Sequence, residues 1–147
     1  MFLLKKLFRL LLIQRDIWLI LIFQTMFSKI KNEVVSLKGN KKIEDLFNSS
    51  SSFNSSFLKL FCYKKRSGFL EVGFGVSKSL FPKAVDRNNI KRKMREQFKK
   101  IRNEDSYEIF FGTGFFVYTG KKKPDFSSLE IPMKKLLTFW KSLDSNT

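Results

Sequence analysis

The chain lacks histidine, has a single cysteine and is poor in acidic residues. Among its 147 residues, 29 are Lys or Arg and 13 are Asp or Glu, which gives a formal net charge of +16. Without histidine, the chain has neither the commonest general base nor the commonest ligand of transition metals. With Cys62 alone, a disulfide framework and a cysteine-based zinc site are both excluded. An enzyme made of this chain alone would have to act through Asp, Glu, Lys or Tyr.

The excess of positive charge predicts a polyanionic partner, either nucleic acid or an anionic membrane surface. A small acidic substrate needs only a local pocket, so it does not account for charge that is spread along the chain. The length favours one domain, and 18 Phe residues are available for its core.

The first 25 residues, MFLLKKLFRLLLIQRDIWLILIFQT, are apolar and slightly basic, and they leave three interpretations open. Translation could start at Met26, so that the upstream residues are not part of the folded protein. The segment could be an amphipathic anchor at a membrane interface. It could also be a membrane span or a secretory signal, but charges interrupt it and its small-residue cleavage site is poor. We take residues 1–27 as an extension and residues 28–147 as the folded domain.

Two segments alternate in the way that β-strands do. In FLKLFCY, residues 57–63, Leu60 and Cys62 point to one face, and in FLEVGFGV, residues 69–76, the apolar residues again share a face. Because residues 64–68 provide a turn, the pattern predicts a β-hairpin. Its second face combines aromatic and lysine side chains with glycines, which indicates either a second buried layer or a surface for a ligand.

The remaining segments complete an α+β domain. Residues 38–48 predict a short helix, the serine-rich residues 49–56 a loop, and residues 114–120 a third strand. Residues 127–143 predict a last amphipathic helix that starts or kinks at Pro132. Together with a basic helix after the hairpin, the order of elements is αββαβα, with segregated layers.

The basic helix is predicted by DRNNIKRKMREQFKK, residues 86–100, in which Asp86 is the expected N-cap, as Asn40 is for the first helix. From residue 87 to residue 102 there are eight basic residues and one acid, Glu96. Like charges four residues apart destabilise a helix by a few tenths of a kcal/mol per pair, and a phosphate partner would relieve this repulsion. The apolar stripe seats the helix on the sheet and consists of Ile90, Met94, Phe98 and Ile101.

RNA is the expected polyanion. The apolar stripe is too narrow to bind a membrane once the core has used it. The sequence has no helix-turn-helix spacing and no zinc module, so DNA is disfavoured. Aromatic side chains on a sheet beside a basic helix are suited to unstacked, single-stranded nucleotides.

At AVDRNNIKRKMRE, residues 84–96, the sequence resembles the protein component of bacterial ribonuclease P, whose signature is close to A-V-x-R-N-R-x-K-R-x-x-R-E. GFGVSKS resembles the family's strand end G-L-S-V-S-K-K, and KIEDLF resembles its first helix, in which two Phe face a cleft. The resemblance covers roughly residues 36–143. Asn89 and Ser79 depart from it, because each replaces a basic residue of the family's motifs.

The resemblance implies a sheet domain with the basic helix in a left-handed βαβ crossover, an exception to the usual hand. It implies a catalytic centre made of RNA, with no catalytic or metal-binding residue in this chain and with Mg²⁺ held by the RNA and the substrate. The implied contacts to the catalytic RNA are Arg87, Asn88, Lys91, Arg92, Arg95 and Lys78. The implied lining of a cleft for the 5′ leader of precursor tRNA is Phe47, Phe61, Lys59 and Ile43.

The expected partners are therefore the catalytic RNA and precursor tRNA, with neither DNA nor a membrane, and the expected location is the cytoplasm. Other functions stay open on the residues alone. One is a generic RNA-binding or ribosome-associated protein, and another is a membrane-surface protein that acts through residues 1–25. A third is a protein-only nuclease, for which Glu104, Asp105 and Glu108 would be the carboxylates.

Overall fold

The structure is a computed structural model that describes residues 3–7, 17–31, 34–66, 68–104 and 110–146. Contacts divide the chain into two units, Met1–Glu33 and Val34–Thr147. In the first unit, residues 3–7 are helical and helix α1 spans Ile17–Lys31. Among the described residues, no helix is long and apolar enough to cross a membrane. The division at residue 27 stays a prediction.

The second unit is a mixed β-sheet with helices packed on it, so the α+β class is confirmed. Its strands are β1 (Val34–Ser36), β2 (Ser51–Ser55), β3 (Leu58–Lys65), β4 (Leu70–Val76), β5 (Phe111–Tyr118) and β6 (Ser145–Asn146). Its helices are α2 (Asn40–Ser49), α3 (Ala84–Asn103) and α4 (Glu130–Ser142), and a 3₁₀ turn (Ser127–Leu129) precedes α4. The strand order is β1-β4-β5-β3-β2, and β6 pairs with β3.

The predicted hairpin of β3 and β4 is wrong, because β5 lies between these two strands. β5 is antiparallel to β3 and parallel to β4. Alternation shows that a segment is a strand, but any strand with a matching face can pair with it, and here the partner comes from beyond α3. Since α3 connects the parallel neighbours β4 and β5, the crossover unit is present. Its left-handed sense stays a prediction from the resemblance.

The predicted loop at residues 49–56 is also wrong. β2 occupies most of it and pairs antiparallel with β3, from Ser51 opposite Cys62 to Ser55 opposite Leu58. Phe53 packs against the core from this edge strand. One apolar residue between serines is enough to anchor a sheet edge, where polar neighbours are tolerated because they meet solvent.

The predicted apolar stripe of α3 is confirmed. Ile90, Met94, Phe98 and Ile101 are all buried, and they pack on the sheet face that carries Leu60 and the other buried residues of β3. Fully burying such side chains contributes about 1.5–3 kcal/mol each. α4 covers the β3 and β2 side of the same face.

Trp140 of α4 lies flat on the sheet at Gly114. A Cβ atom at Gly114 would come within 2.4 Å of the indole ring, so only glycine leaves room for it. The indole Nε1 donates a hydrogen bond to the backbone oxygen of Tyr63 at 3.1 Å.

Helices α2 and α3 both begin earlier than predicted, so each includes its predicted cap residue. α2 starts at Asn40 after the cap Gly39, and α3 starts after Lys83, so Asp86 lies within the first turn. Both N-cap predictions are therefore wrong. Pro132 is the third residue of α4, where a backbone N–H needs no acceptor within the helix, so the helix starts before it without a break.

Candidate nucleic-acid interface

One face of the sheet carries a row of aromatic residues. The register places Phe61 of β3 opposite Phe115 of β5, and Phe115 beside Gly73 of β4. These residues alternate with the buried ones, so they lie on the face opposite to α3 and α4. The predicted second face is therefore real, and α2 packs on it.

Phe47 of α2 completes an aromatic cluster on this row. Its ring centroid is 4.6 Å from that of Phe61 and 5.5 Å from that of Phe115, both in edge-on geometry. The ring of Phe115 lies over two glycines, because a Cβ atom at Gly73 or Gly75 would approach it to 2.5 or 2.6 Å. The small residues of β4 thus make space for an aromatic ring that comes from β5.

The cluster remains accessible and has a cation beside it. Phe47 is 40% exposed, and the Nζ atom of Lys59 lies 4.8 Å from the ring centroid of Phe61. Ile43, one turn before Phe47, is half-buried. Aromatic faces with an adjacent cation are what single-stranded bases stack on. The structure therefore brings together Phe47, Phe61 and Lys59, while their role as a leader cleft stays a prediction.

Phe115 is a member of this cluster that the sequence interpretation missed. Its signal was present, because alternation in GFFVYTG places Phe115 on the face opposite to Phe116. Only the unexpected pairing of β5 between β3 and β4 makes that face the one with the glycines.

One flank of α3 uses its charges within the protein. Asp86 pairs with Lys123 at 2.7 Å, Lys93 donates to the backbone oxygen of Pro124 at 2.9 Å, and Lys100 pairs with Glu130 at 3.2 Å. Lys134 and Lys100 hold the pKa of Glu130 below its usual value through hydrogen bonds. Asn89 lies on this flank, three residues after Asp86 and four before Lys93.

The opposite flank of α3 keeps its charges available. The basic residues of this flank are Lys91, Arg92, Arg95 and Lys99. None of them makes a salt bridge with a residue that the structure describes. The guanidinium of Arg95 lies 5.9 Å from the ring centroid of Phe74. Asn88 and Lys78 are exposed. The helix is thus divided into a flank that joins the fold and a flank that is open to a polyanion.

Arg87 has a structural contact that the sequence did not predict. One terminal nitrogen of its guanidinium donates to the backbone oxygens of Phe81 and Pro82, at 2.9 and 2.6 Å. It therefore braces the segment between β4 and α3. The rest of its guanidinium can still donate to a phosphate.

The candidate carboxylates of a protein-only nuclease were Glu104, Asp105 and Glu108. Among the described residues, no group of three or more acidic or cysteine side chains gathers in a way that could hold a metal ion. Glu104 pairs with Lys134 at 3.2 Å, while Asp105 and Glu108 lie outside the described residues.

Comparison with known proteins identifies the family of this chain. The family model described as Ribonuclease P matches residues 31–141. The chain belongs to this family. The ribonuclease P protein component of Thermoanaerobacter pseudethanolicus is 29% identical over 111 residues, which are 73% of this chain and 90% of that relative.

Solved ribonuclease P proteins share the fold. That of Staphylococcus aureus has a TM-score of 0.62 at 20% identity, and the match covers 76% of this chain and all of that one. That of Thermotoga maritima has a TM-score of 0.60 at 19% identity and covers 74% of this chain and 98% of that one. At such identities the likeness supports the fold of this ribonuclease P protein and no individual residue role.

Proposed function

We propose that this ribonuclease P protein binds the catalytic RNA of its holoenzyme through α3 and holds the 5′ leader of precursor tRNA on the aromatic face of the sheet. It thereby promotes 5′ maturation of tRNA in the cytoplasm. The reaction itself takes place in the RNA, and Mg²⁺ is held by the RNA and the substrate.

The observation that carries the proposal is the division of α3 into two flanks. The flank that packs against the rest of the domain has its charges paired, whereas Lys91, Arg92 and Arg95 on the other flank have no described acidic partner. Such a row lowers helix stability by repulsion unless phosphates lie against it. If about six phosphates are engaged, log K falls against log salt with a slope of about −4.

The aromatic cluster supports the second part of the proposal. Phe47, Phe61 and Phe115 present ring surface beside Lys59 on a face that α3 does not occupy. Stacking does not depend on base identity, since every base has a π-face. A precursor leader of variable sequence is a suitable ligand for such a surface.

The deciding experiment is cleavage of precursor tRNA at low Mg²⁺ with the protein alone, with the catalytic RNA alone and with both. Correct 5′ cleavage only with both components is the expected result. Cleavage by the protein alone would contradict the proposal and would indicate a catalytic site made of its carboxylates. If the protein does not increase cleavage by the catalytic RNA, it is a basic RNA-binding protein with another partner.

A charge reversal tests the α3 flank separately. Arg92→Glu is expected to weaken binding of the catalytic RNA and to lower the magnitude of the salt slope by about one. Lys135→Glu is the matched control, because Lys135 is exposed on α4, away from the open flank of α3. Equal affinities of the two variants would remove Arg92 from the interface.

A further inference from the structure

A second row of side chains runs parallel to the aromatic row on the same face. The register places Tyr63 of β3 opposite Thr113 of β5, and Thr113 beside Glu71 of β4. This row is two residues along each strand from the aromatic one, a distance of about 7 Å. Each side chain of this second row carries a hydroxyl or a carboxylate group, whereas Phe61 and Phe115 of the first row carry no polar group.

Helix α2 separates the two rows. Phe47 points to the aromatic row, whereas Lys42, Asp45 and Ser49 line a cavity of about 270 Å³ over the polar row. Lys42, Asp45 and Ser49 are spaced by three and four residues, so they form one stripe of the helix. Lys65 of β3 also lines the cavity.

The floor of this cavity has unused hydrogen-bonding capacity. Thr113 is only 3% exposed, and its hydroxyl lies 3.4 Å from a carboxylate oxygen of Glu71. The other carboxylate oxygen of Glu71 is 3.8 Å from the Nζ atom of Lys42, too far for a hydrogen bond. A carboxylate accepts several hydrogen bonds, so Glu71 can take further donors from a ligand.

The charged groups of the cavity differ in exposure. The side chain of Lys42 is 66% exposed and that of Glu71 is 23% exposed, so the amine is the more accessible of the two. The cavity lining also includes exposed Asp45 and half-buried Lys65, and the Nζ atom of Lys65 is 5.5 Å from the ring centroid of Tyr63. A nucleotide matches these groups, because its phosphate is anionic and its ribose hydroxyl and base amines are donors. A phosphate on the floor would be repelled by Glu71.

We propose that this cavity binds one nucleotide of the single-stranded leader, with the ribose 2′-hydroxyl donating to Glu71 or Thr113 and the phosphate meeting Lys42 and Lys65. The site rests on the proposed function, and it extends that function from base stacking to recognition of ribose. The leader thus contacts the domain on both sides of α2, and the polar side distinguishes RNA from DNA.

The test uses the holoenzyme and precursor tRNAs that carry a single 2′-deoxy nucleotide at successive leader positions. With the wild-type protein, one position is expected to lose affinity by about fivefold, the order of one hydrogen bond. Thr113→Val, which keeps the side-chain volume, and Glu71→Gln are each expected to reduce this discrimination. Thr138→Val is the control, because the Thr138 hydroxyl bonds to the backbone oxygen of Lys134 on α4.

Two results would overturn the inference. One is a wild-type protein that tolerates deoxyribose at every leader position, and the other is discrimination that persists unchanged in both cavity variants. The affinity for mature tRNA without a leader separates this failure from that of the proposed function. If the wild-type protein still favours the precursor over mature tRNA, only the ribose site is wrong. If it does not, leader binding itself is wrong.

Discussion

Replacing Phe47 by alanine should separate leader binding from binding of the catalytic RNA. Phe47 contacts two aromatic rings, those of Phe61 and Phe115, yet 40% of its surface is exposed. Its side chain therefore belongs partly to the fold and partly to the candidate cleft. The affinity for the catalytic RNA should not change, because the open flank of α3 is on the other side of the sheet.

The cost to stability follows from the partial burial. A fully buried Phe→Ala substitution costs about 3–5 kcal/mol, so a residue that is 60% buried should cost about 2–3 kcal/mol. Base stacking on an aromatic side chain contributes about 1–3 kcal/mol. The affinity for a precursor with a leader should therefore fall by about 5- to 150-fold, while the affinity for mature tRNA stays the same.

The assay compares dissociation constants of the holoenzyme for precursor and mature tRNA, and chemical denaturation measures the free energy of unfolding. Phe126→Ala is the control, because Phe126 has almost the same exposure, 38%, and precedes the turn before α4. It should leave both affinities unchanged. An equal loss for precursor and mature tRNA in the Phe47 variant would refute the reasoning, since it would indicate a general defect of assembly.

Further predictions concern the packing beneath these surfaces. Gly73→Val should displace the ring of Phe115, lower the free energy of unfolding by about 1–3 kcal/mol and weaken leader binding, as denaturation and precursor affinity would show. Gln97→Met should raise the free energy of unfolding by about 1 kcal/mol, because Gln97 is fully buried and neither of its side-chain polar atoms has a hydrogen-bond partner among the described residues; a lower stability would show that the amide is satisfied. Burial raises the pKa of the Cys62 thiol to about 12, so the native protein should react with thiol reagents at pH 8 far more slowly than the denatured chain. The folded state favours the neutral thiol, so this contribution to stability is complete below pH 9 and is lost as the pH rises toward 12.

Several features followed from the sequence because they depend on local periodicity. The stripe from Ile90 to Ile101 is spaced for one face of a helix, and the structure buries it. The alternation of Leu58, Leu60 and Cys62 likewise identified the buried face of β3. The signature in residues 84–96 identified the family, which the match over residues 31–141 confirms. Each of these signals is contained in a short segment and needs no distant partner.

The candidate site was only partly predictable, because part of it depends on the pairing of distant strands. The resemblance to the family implied Phe47, Phe61 and Lys59, strand alternation supported Phe61, and the three residues are neighbours in the structure. Phe115 was missed, because its place over Gly73 depends on which strand pairs with β4.

The sequence by itself determined the basic character of this protein, its α+β class, the core faces of its longer elements and its family. Tertiary structure alone decided that β5 lies between β3 and β4 and that the serine-rich segment forms an edge strand. It also decided which basic side chains of α3 remain without a salt bridge among the described residues. Pairing between distant strands and between distant charges depends on contacts across the whole domain. Local propensity and spacing carry no information about those contacts.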